Sequence, residues 1–263
     1  MLNMSEQNVS LLNQLANDLP EGLIVDAAWL EQRGIASNLR SYYVKAGWLE
    51  QPARSVYKKP RGKLSWQQVV ISLQTLLSHA PLTVGGRTAL ELQGFAHYLT
   101  QDTRTVYLYG PEKPPTWLQK LHLPQSFVYR SSTLLFRNDG QNSLTAIPWG
   151  QWDWPLTLSQ PERAYLEMLD ELPRHESFHQ ADMIMQGAAN FSPRLLQTLL
   201  ADCRSVKVKR LFFFFADRHN HAWLKRLDKS AIDLGSGKRA LVPGGKLDPV
   251  YLITVPGDLD AVS

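Results

Sequence analysis

The chain has 263 residues, 44% hydrophobic and 10% aromatic, with a formal net charge of +4 and one cysteine, Cys203. That length suits one large domain or two modest ones, and a lone cysteine excludes an internal disulfide and a multi-thiolate zinc centre. No run of about 18 uncharged apolar residues is available to span a bilayer, and the residues up to Leu19 lack the basic patch and apolar block of a secretory signal, so the cytoplasm is the expected compartment.

Taken in chain order, Val9, Leu12, Leu15 and Leu19 recur at three- and four-residue steps and predict a helix over about residues 5–19. Pro20-Glu21-Gly22 breaks it. Asp26 is placed to cap a second, short helix that Gly34 stops, and a third runs from Ser37 to Gly47. Trp48–Glu50 and Ser55–Lys58 read as short extended runs joined by a turn. Trp66 to His79 is helical, with Trp66, Val69, Val70, Leu73, Leu76 and Leu77 on one face, and Gly85-Gly86 opens a helix that reaches Gly94. Beyond Phe95 the texture changes. A strand is expected at 105–109, a short helix at 117–121, strands within 127–136, helices at 162–172 and 193–200, a helical stretch at 221–227 and a closing strand at 251–255. Residues 206–215, with four successive phenylalanines, look like a strand, although at that length periodicity leaves a buried helix open. The expected fold class is α+β: a winged helix-turn-helix with connecting helices over residues 1–95, then a mixed α/β C-terminal domain over 96–263.

The distribution of charge says more than its sum. Residues 37–63 carry seven basic side chains against Glu50, a net of +6, and residues 204–226 carry seven against Asp217, again +6. Between them, residues 162–182 are acidic. Two basic regions suit a protein that meets phosphate in at least one place.

Residues 25–49 have the features of a DNA-reading helix pair. Gly34 permits the tight turn, Ile35 fits the angle between the helices, and Ser37 is suited to cap the second. On that second helix Leu39, Tyr42, Tyr43 and Ala46 form an apolar stripe expected to pack inward. Ser37, Asn38, Ser41 and Lys45 then point out, with Arg40 at the flank. Asn38 could pair with adenine, Arg40 with guanine, and Ser37 or Ser41 with base or phosphate, while Lys45 sits later and suits phosphate. The following hairpin is the expected wing, its Arg54, Lys58, Lys59, Arg61 and Lys63 spaced to follow a sugar-phosphate backbone.

The run GIASNLRSYYVKAGWL at 34–49, followed by VYKKP at 56–60, resembles the N-terminal domain of AbiEi-family antitoxins. VGGRTALELQG at 84–94, VKVKRLF at 206–212 and LGSGKRALVPGGKLD at 234–248 are similar to the same family, so the likeness covers nearly the whole chain. The resemblance implies a type IV toxin–antitoxin system. An N-terminal winged helix would bind inverted repeats in double-stranded promoter DNA and repress the operon. The C-terminal domain would counter an AbiEii-like, nucleotidyltransferase-like toxin, pairing with it functionally without a stable complex. The alternative is a winged-helix regulator whose C-terminal domain modifies nucleic acid or docks a protein.

Other signals are weaker. Gly235-Ser-Gly-Lys238 lacks the leading glycine and trailing Ser or Thr of a phosphate loop, having Ile232 and Arg239 instead. Lys238 and Arg239 would join Lys207, Lys209 and Arg210 in a C-terminal surface for a polyanion. Gly85-Gly86-Arg87 could hold an anion at a helix N-terminus, with close packing the commoner reason for such glycines. His175 and His179, near Glu176 and Asp182, have ligand spacing but no third clear ligand. Cys203 reads as a small buried side chain, and Trp149, Trp152 and Trp154 as a packing cluster with a lesser chance of stacking bases. No catalytic constellation stands out, so neither enzyme activity, metal nor cofactor is expected, and no membrane partner.

Overall fold

The computed structural model describes residues 4–79, 81–95, 104–138 and 141–259, with side chains from residue 10 on, that of 141 excepted. The first unit runs α1 (Met4–Asp18), β1 (Ile24–Asp26), α2 (Ala27–Gln32), α3 (Ser37–Lys45), β2 (Glu50–Ala53) and β3 (Val56–Lys58). Its three strands pair antiparallel in the order β1-β3-β2. Leu15, Leu19, Val25, Trp29, Leu30, Ile35, Tyr43, Leu49 and Tyr57 form its core. This is the element order of a winged helix-turn-helix. Of the apolar series that predicts α1, Leu12, Leu15 and Leu19 face this core, and the side chain of Val9 lies outside the described residues.

α4 (Trp66–Thr75) follows, started by a reciprocal cap in which the Gln68 N–H donates to Ser65 Oγ at 3.3 Å and the Ser65 N–H to Gln68 Oε1 at 2.8 Å. Then come β4 (Thr83–Val84), α5 (Gly86–Leu92), β5 (Thr105–Gly110), β6 (Ser126–Ser131), α6 (Ser132–Leu135), β7 (Leu144–Trp149) and β8 (Trp154–Ser159). The strands form one mixed sheet in the order β6-β5-β4-β8-β7, parallel at β5/β6 and β4/β8. β4, from the segment expected to belong with the head, is therefore the middle strand of the body's sheet. The expected division at residue 95 abuts residues 96–103, which lie outside the described residues. α4 spans the two units: it packs on both β1 and β8, and the Ile24 N–H donates to Ser72 Oγ at 2.9 Å.

The remainder is α7 (Pro161–Asp170), α8 (Phe178–Gln186), α9 (Pro193–Asp202), α10 (Val206–His219), β9 (Lys246–Leu247) and β10 (Thr254–Val255). α10 corrects the strand reading of the phenylalanine run. Every residue from Val208 to Ala216 is buried, and an element walled in on all sides shows no periodicity to distinguish helix from strand. Ser205 caps it, its side chain accepting from the Val208 N–H. The expected strands within 127–136 reduce to β6 followed by α6, and residues 149–154, which carry no expected element, form the turn of the β7–β8 hairpin.

Candidate nucleic-acid interface

The helix-turn-helix is built by local chemistry. Asp26 Oδ1 accepts from the Trp29 N–H at 2.9 Å, capping α2. Gly34, at φ +79°, takes the left-handed conformation that the turn demands. Ile35 follows and is buried between the helices. The residue that locks the turn is Arg40, which is buried: it donates to the Ile35 carbonyl at 2.9 Å and to Glu31 Oε1 at 2.9 Å. Arg40 is therefore not placed to meet a guanine. It satisfies a carbonyl that the turn leaves without a helical partner, and it ties α3 to α2.

With Arg40 inside, α3 is rotated from the expected phase. Tyr43 is fully buried, while Tyr42 and Ala46, expected inside, are exposed. The outward face consists of Asn38, Ser41, Tyr42 and Lys45, at helical steps of three, four and seven, with Ser37 at its edge. Ser37 is the first helical residue, and Ala36 holds the cap position without a side-chain bond. Asn38 Oδ1 accepts from the Leu39 N–H at 2.9 Å, and Ser41 Oγ donates to the Ser37 carbonyl at 3.0 Å. No acidic residue occurs between Glu31 and Glu50, so this face presents amide, hydroxyl, aromatic and ammonium groups and no carboxylate.

The end of α3 is equally determinate. Gly47 has φ +75°, its N–H donates to Val44 O at 3.1 Å, and the Trp48 N–H donates to Tyr43 O at 2.9 Å. This is the paired-bond helix stop that a left-handed glycine makes, with the usual apolar contact across it: the Tyr43 and Trp48 rings are 5.5 Å apart.

The wing separates its cations. Arg54 lies exposed in the β2–β3 turn, whereas Lys59, Arg61 and Lys63 follow the far end of β3. A three-residue strand is about 10 Å long, so they do not form one row. Lys58 is buried, paired with Glu50 at 2.8 Å and donating to the carbonyls of Lys59, Arg61 and Gly62 at 2.9, 3.3 and 3.1 Å. It folds the loop that carries its neighbours and is not placed to touch phosphate. Lys59 Nζ donates to Ala16 O at 2.6 Å, Arg61 stays largely exposed 3.8 Å from Glu21, and Lys63 is exposed.

The C-terminal basic window is internal at its centre, while Arg204, Arg218, Lys225 and Arg226 at its two ends are exposed. Lys209 donates to Asp233 O at 3.0 Å, and Arg210 donates to Leu234 O at 2.7 Å and Gly237 O at 2.6 Å; both side chains are buried. Lys207 donates to the carbonyls of Asp170 and Leu172 and pairs with the Asp170 carboxylate at 3.3 Å. These three, expected on a polyanion surface, instead hold residues 233–237 and 170–172 in place. Lys238 and Arg239 are exposed.

The anion at Gly85-Gly86 belongs to the protein itself. Glu167 Oε2 accepts from the Gly86 N–H at 2.9 Å, and Oε1 accepts from Ser159 Oγ at 3.0 Å and Arg163 Nε at 2.7 Å. A Cβ on Gly85 would stand 2.3 Å from that carboxylate. Glu176 is buried 3.4 Å from Arg87, and burial pushes its carboxyl up to about 7 against the pull of Arg87 and Tyr107. His175 is exposed, His179 faces Asp258 at 3.8 Å, and Asp182 holds Arg218 and His219. Among the described residues no group of three or more His, Cys, Asp or Glu could hold a metal ion. Cys203 is buried, and burial raises its thiol to about 11. Trp149 and Trp154 pack against the main core, while Trp152 is exposed in the hairpin turn. Among the described residues no helix is long and apolar enough to cross a membrane.

Two family models match the chain in succession. Residues 8–101 match the N-terminal domain of the AbiEi antitoxin, a transcriptional regulator, and residues 103–256 match the transcriptional regulator AbiEi antitoxin of type IV toxin–antitoxin systems. No curated protein matches. Among solved structures, the crystal structure of the RV2827C protein from Mycobacterium tuberculosis aligns with a TM-score of 0.55 and 17% identity, over 94% of this chain and 90% of that one. At that identity the likeness is one of fold.

Proposed function

The chain belongs to the AbiEi antitoxin family of transcriptional regulators from type IV toxin–antitoxin systems, and from that premise we propose that it represses its own operon by binding inverted repeats in the promoter. The observation that carries this reading is the outward face of α3, where Asn38, Ser41 and Lys45 stand exposed on a helix whose opposite side is fixed by Tyr43 and Arg40. Asn38 and Ser41 would address base edges, Ser37 and Lys45 phosphate, and Arg54, Lys59, Arg61 and Lys63 the backbone on either side. Arg40 and Lys58 act from within, by holding the turn and the loop.

The test is binding of the full chain to the DNA upstream of its own gene. Asn38→Ala should relax base preference by about 1–3 kcal/mol at one position of each repeat. Unchanged selectivity in Asn38→Ala together with unchanged affinity in Lys45→Ala would remove α3 as the reader.

The C-terminal domain, in the same proposal, counters a nucleotidyltransferase-like toxin without a stable complex, with Lys238 and Arg239 as its exposed cations toward a polyanion. Co-expression with a nucleotidyltransferase-like reading frame beside the gene should restore growth, and the two proteins should not co-purify. Rescue that survives Lys238→Ala/Arg239→Ala would exclude those side chains from the activity.

A further inference from the structure

The outward face of α3 holds one group that its polar residues do not explain. Tyr42 is 54% exposed and Trp48 is 42% exposed, so two large rings stand in water where folding gains little from them. They are not loose. Trp48 is fixed by the stop of α3: its N–H donates to Tyr43 O, and its ring packs on Tyr43 at 5.5 Å. From that position it meets Tyr42 edge-on, with centroids 6.0 Å apart and planes at 82°. Tyr42 is also 6.1 Å from Tyr43. Its ring is thus braced from two sides, one helical turn beyond Asn38 and three residues before Lys45.

We propose that Tyr42, held edge-on by Trp48, reads the methyl group of a thymine in the major groove. The inference rests on the reading of α3 as the DNA-contacting helix and adds the base that its aromatic residue selects. A thymine C5-methyl is the apolar feature that the major groove offers, and apolar side chains recognise it by contact. A ring already immobilised loses little rotamer freedom on binding, so the contact is nearly free of ordering cost. The surrounding face carries Lys45 and no carboxylate, which suits a polyanionic duplex as the occupant.

The experiment uses the full chain and its own upstream promoter fragment, with each thymine of the repeats replaced in turn by deoxyuridine. This removes only the methyl group and leaves the protein untouched. For the wild type, one position per half-site should weaken binding about 3- to 10-fold, the order expected from burying one methyl group. Tyr42→Ala should bind the thymine fragment with a similar loss and show no further loss with deoxyuridine. Tyr42→Phe should keep the discrimination, since the ring and not the hydroxyl makes the contact. Trp48→Ala should reduce the discrimination without abolishing it.

The proposal is overturned if no deoxyuridine position affects the wild type, or if Tyr42→Ala discriminates as the wild type does. It is equally overturned if Tyr42→Ala alters only the sedimentation weight of the free protein, which would make the ring pair a contact between two copies of the chain. Lys45→Ala separates the two levels. If it weakens binding while Tyr42→Ala does not, the thymine contact alone falls; if neither weakens binding, the DNA-reading role of α3 falls with it.

Discussion

Residues 37–63 and 204–226 carry the same net charge of +6 and divide it alike, each burying two cations and exposing four. They partner the buried ones differently: Arg40 and Lys58 each meet a carboxylate, whereas Lys209 and Arg210 meet loop carbonyls. The first displays Lys45, Arg54, Arg61 and Lys63 and turns in Arg40 and Lys58. The second displays Arg204, Arg218, Lys225 and Arg226, turns in Lys209 and Arg210, and engages Lys207 on nearby carbonyls. Long cationic side chains can serve as internal donors to loop carbonyls as readily as surface charges. The difference lies in the company they keep: the middle of α10 is walled by phenylalanines, so Lys209 and Arg210 there reach backbone, whereas α3 has one side over which nothing packs among the described residues.

The largest expected effect comes from breaking the buried set. Arg210→Ala should cost about 2–4 kcal/mol in urea unfolding, because the carbonyls of Leu234 and Gly237 are left without their donor, while the folded fraction keeps its affinity for DNA. If stability held and heparin binding fell, the contrast between the two regions would collapse. Arg40→Ala should cost about 2–3 kcal/mol for the same reason, with base preference unchanged; relaxed preference at full stability would return Arg40 to the surface.

The acid counterpart, Glu176, sharpens the point through pH. Its folded-state pKa, raised from 4.5 to about 7, means that the native state holds the proton more tightly than the unfolded chain. Its contribution to stability is therefore fully present below pH about 4.5 and is lost as pH rises through about 7. Glu176→Gln should gain on the wild type over that interval by roughly 1–3 kcal/mol and stay level above it. A difference independent of pH would mean that the carboxyl is ionised throughout. Least of all should Lys45→Ala disturb the fold: within about 0.5 kcal/mol of wild type in stability, with the slope of log affinity against log salt reduced by about one.

The helix-turn-helix was legible because its signals are local: Asp26 three residues from the N–H that it caps, Gly34 at the left-handed position, Ile35 in the angle. The phase of α3 was not, because tyrosine counts as core and arginine as surface in any apolar pattern. Only the Ile35 carbonyl and Glu31 reveal why Arg40 goes in, and the signal that remains is the helical spacing of Asn38, Ser41, Tyr42 and Lys45 at steps of three, four and seven. In α10 four phenylalanines favour a strand by side-chain preference, and burial on all sides overrides it. The carboxylate at Gly86 could not be read at all, since Glu167 lies 81 positions away.

β4 is two residues long, yet β5 flanks it on one edge and β8 on the other, and the Gln74 side chain stitches the Leu82 carbonyl to both backbone groups of Thr157. A scissor cut after residue 95 would carry away the keystone of the larger half and leave the shorter fragment with an unzipped edge on each side. A fragment that ends before Ser65 gives up the Ser72 hydroxyl that holds Ile24, and one that begins beyond α4 gives up the Gln74 stitch, so α4 has to travel with whichever half is wanted.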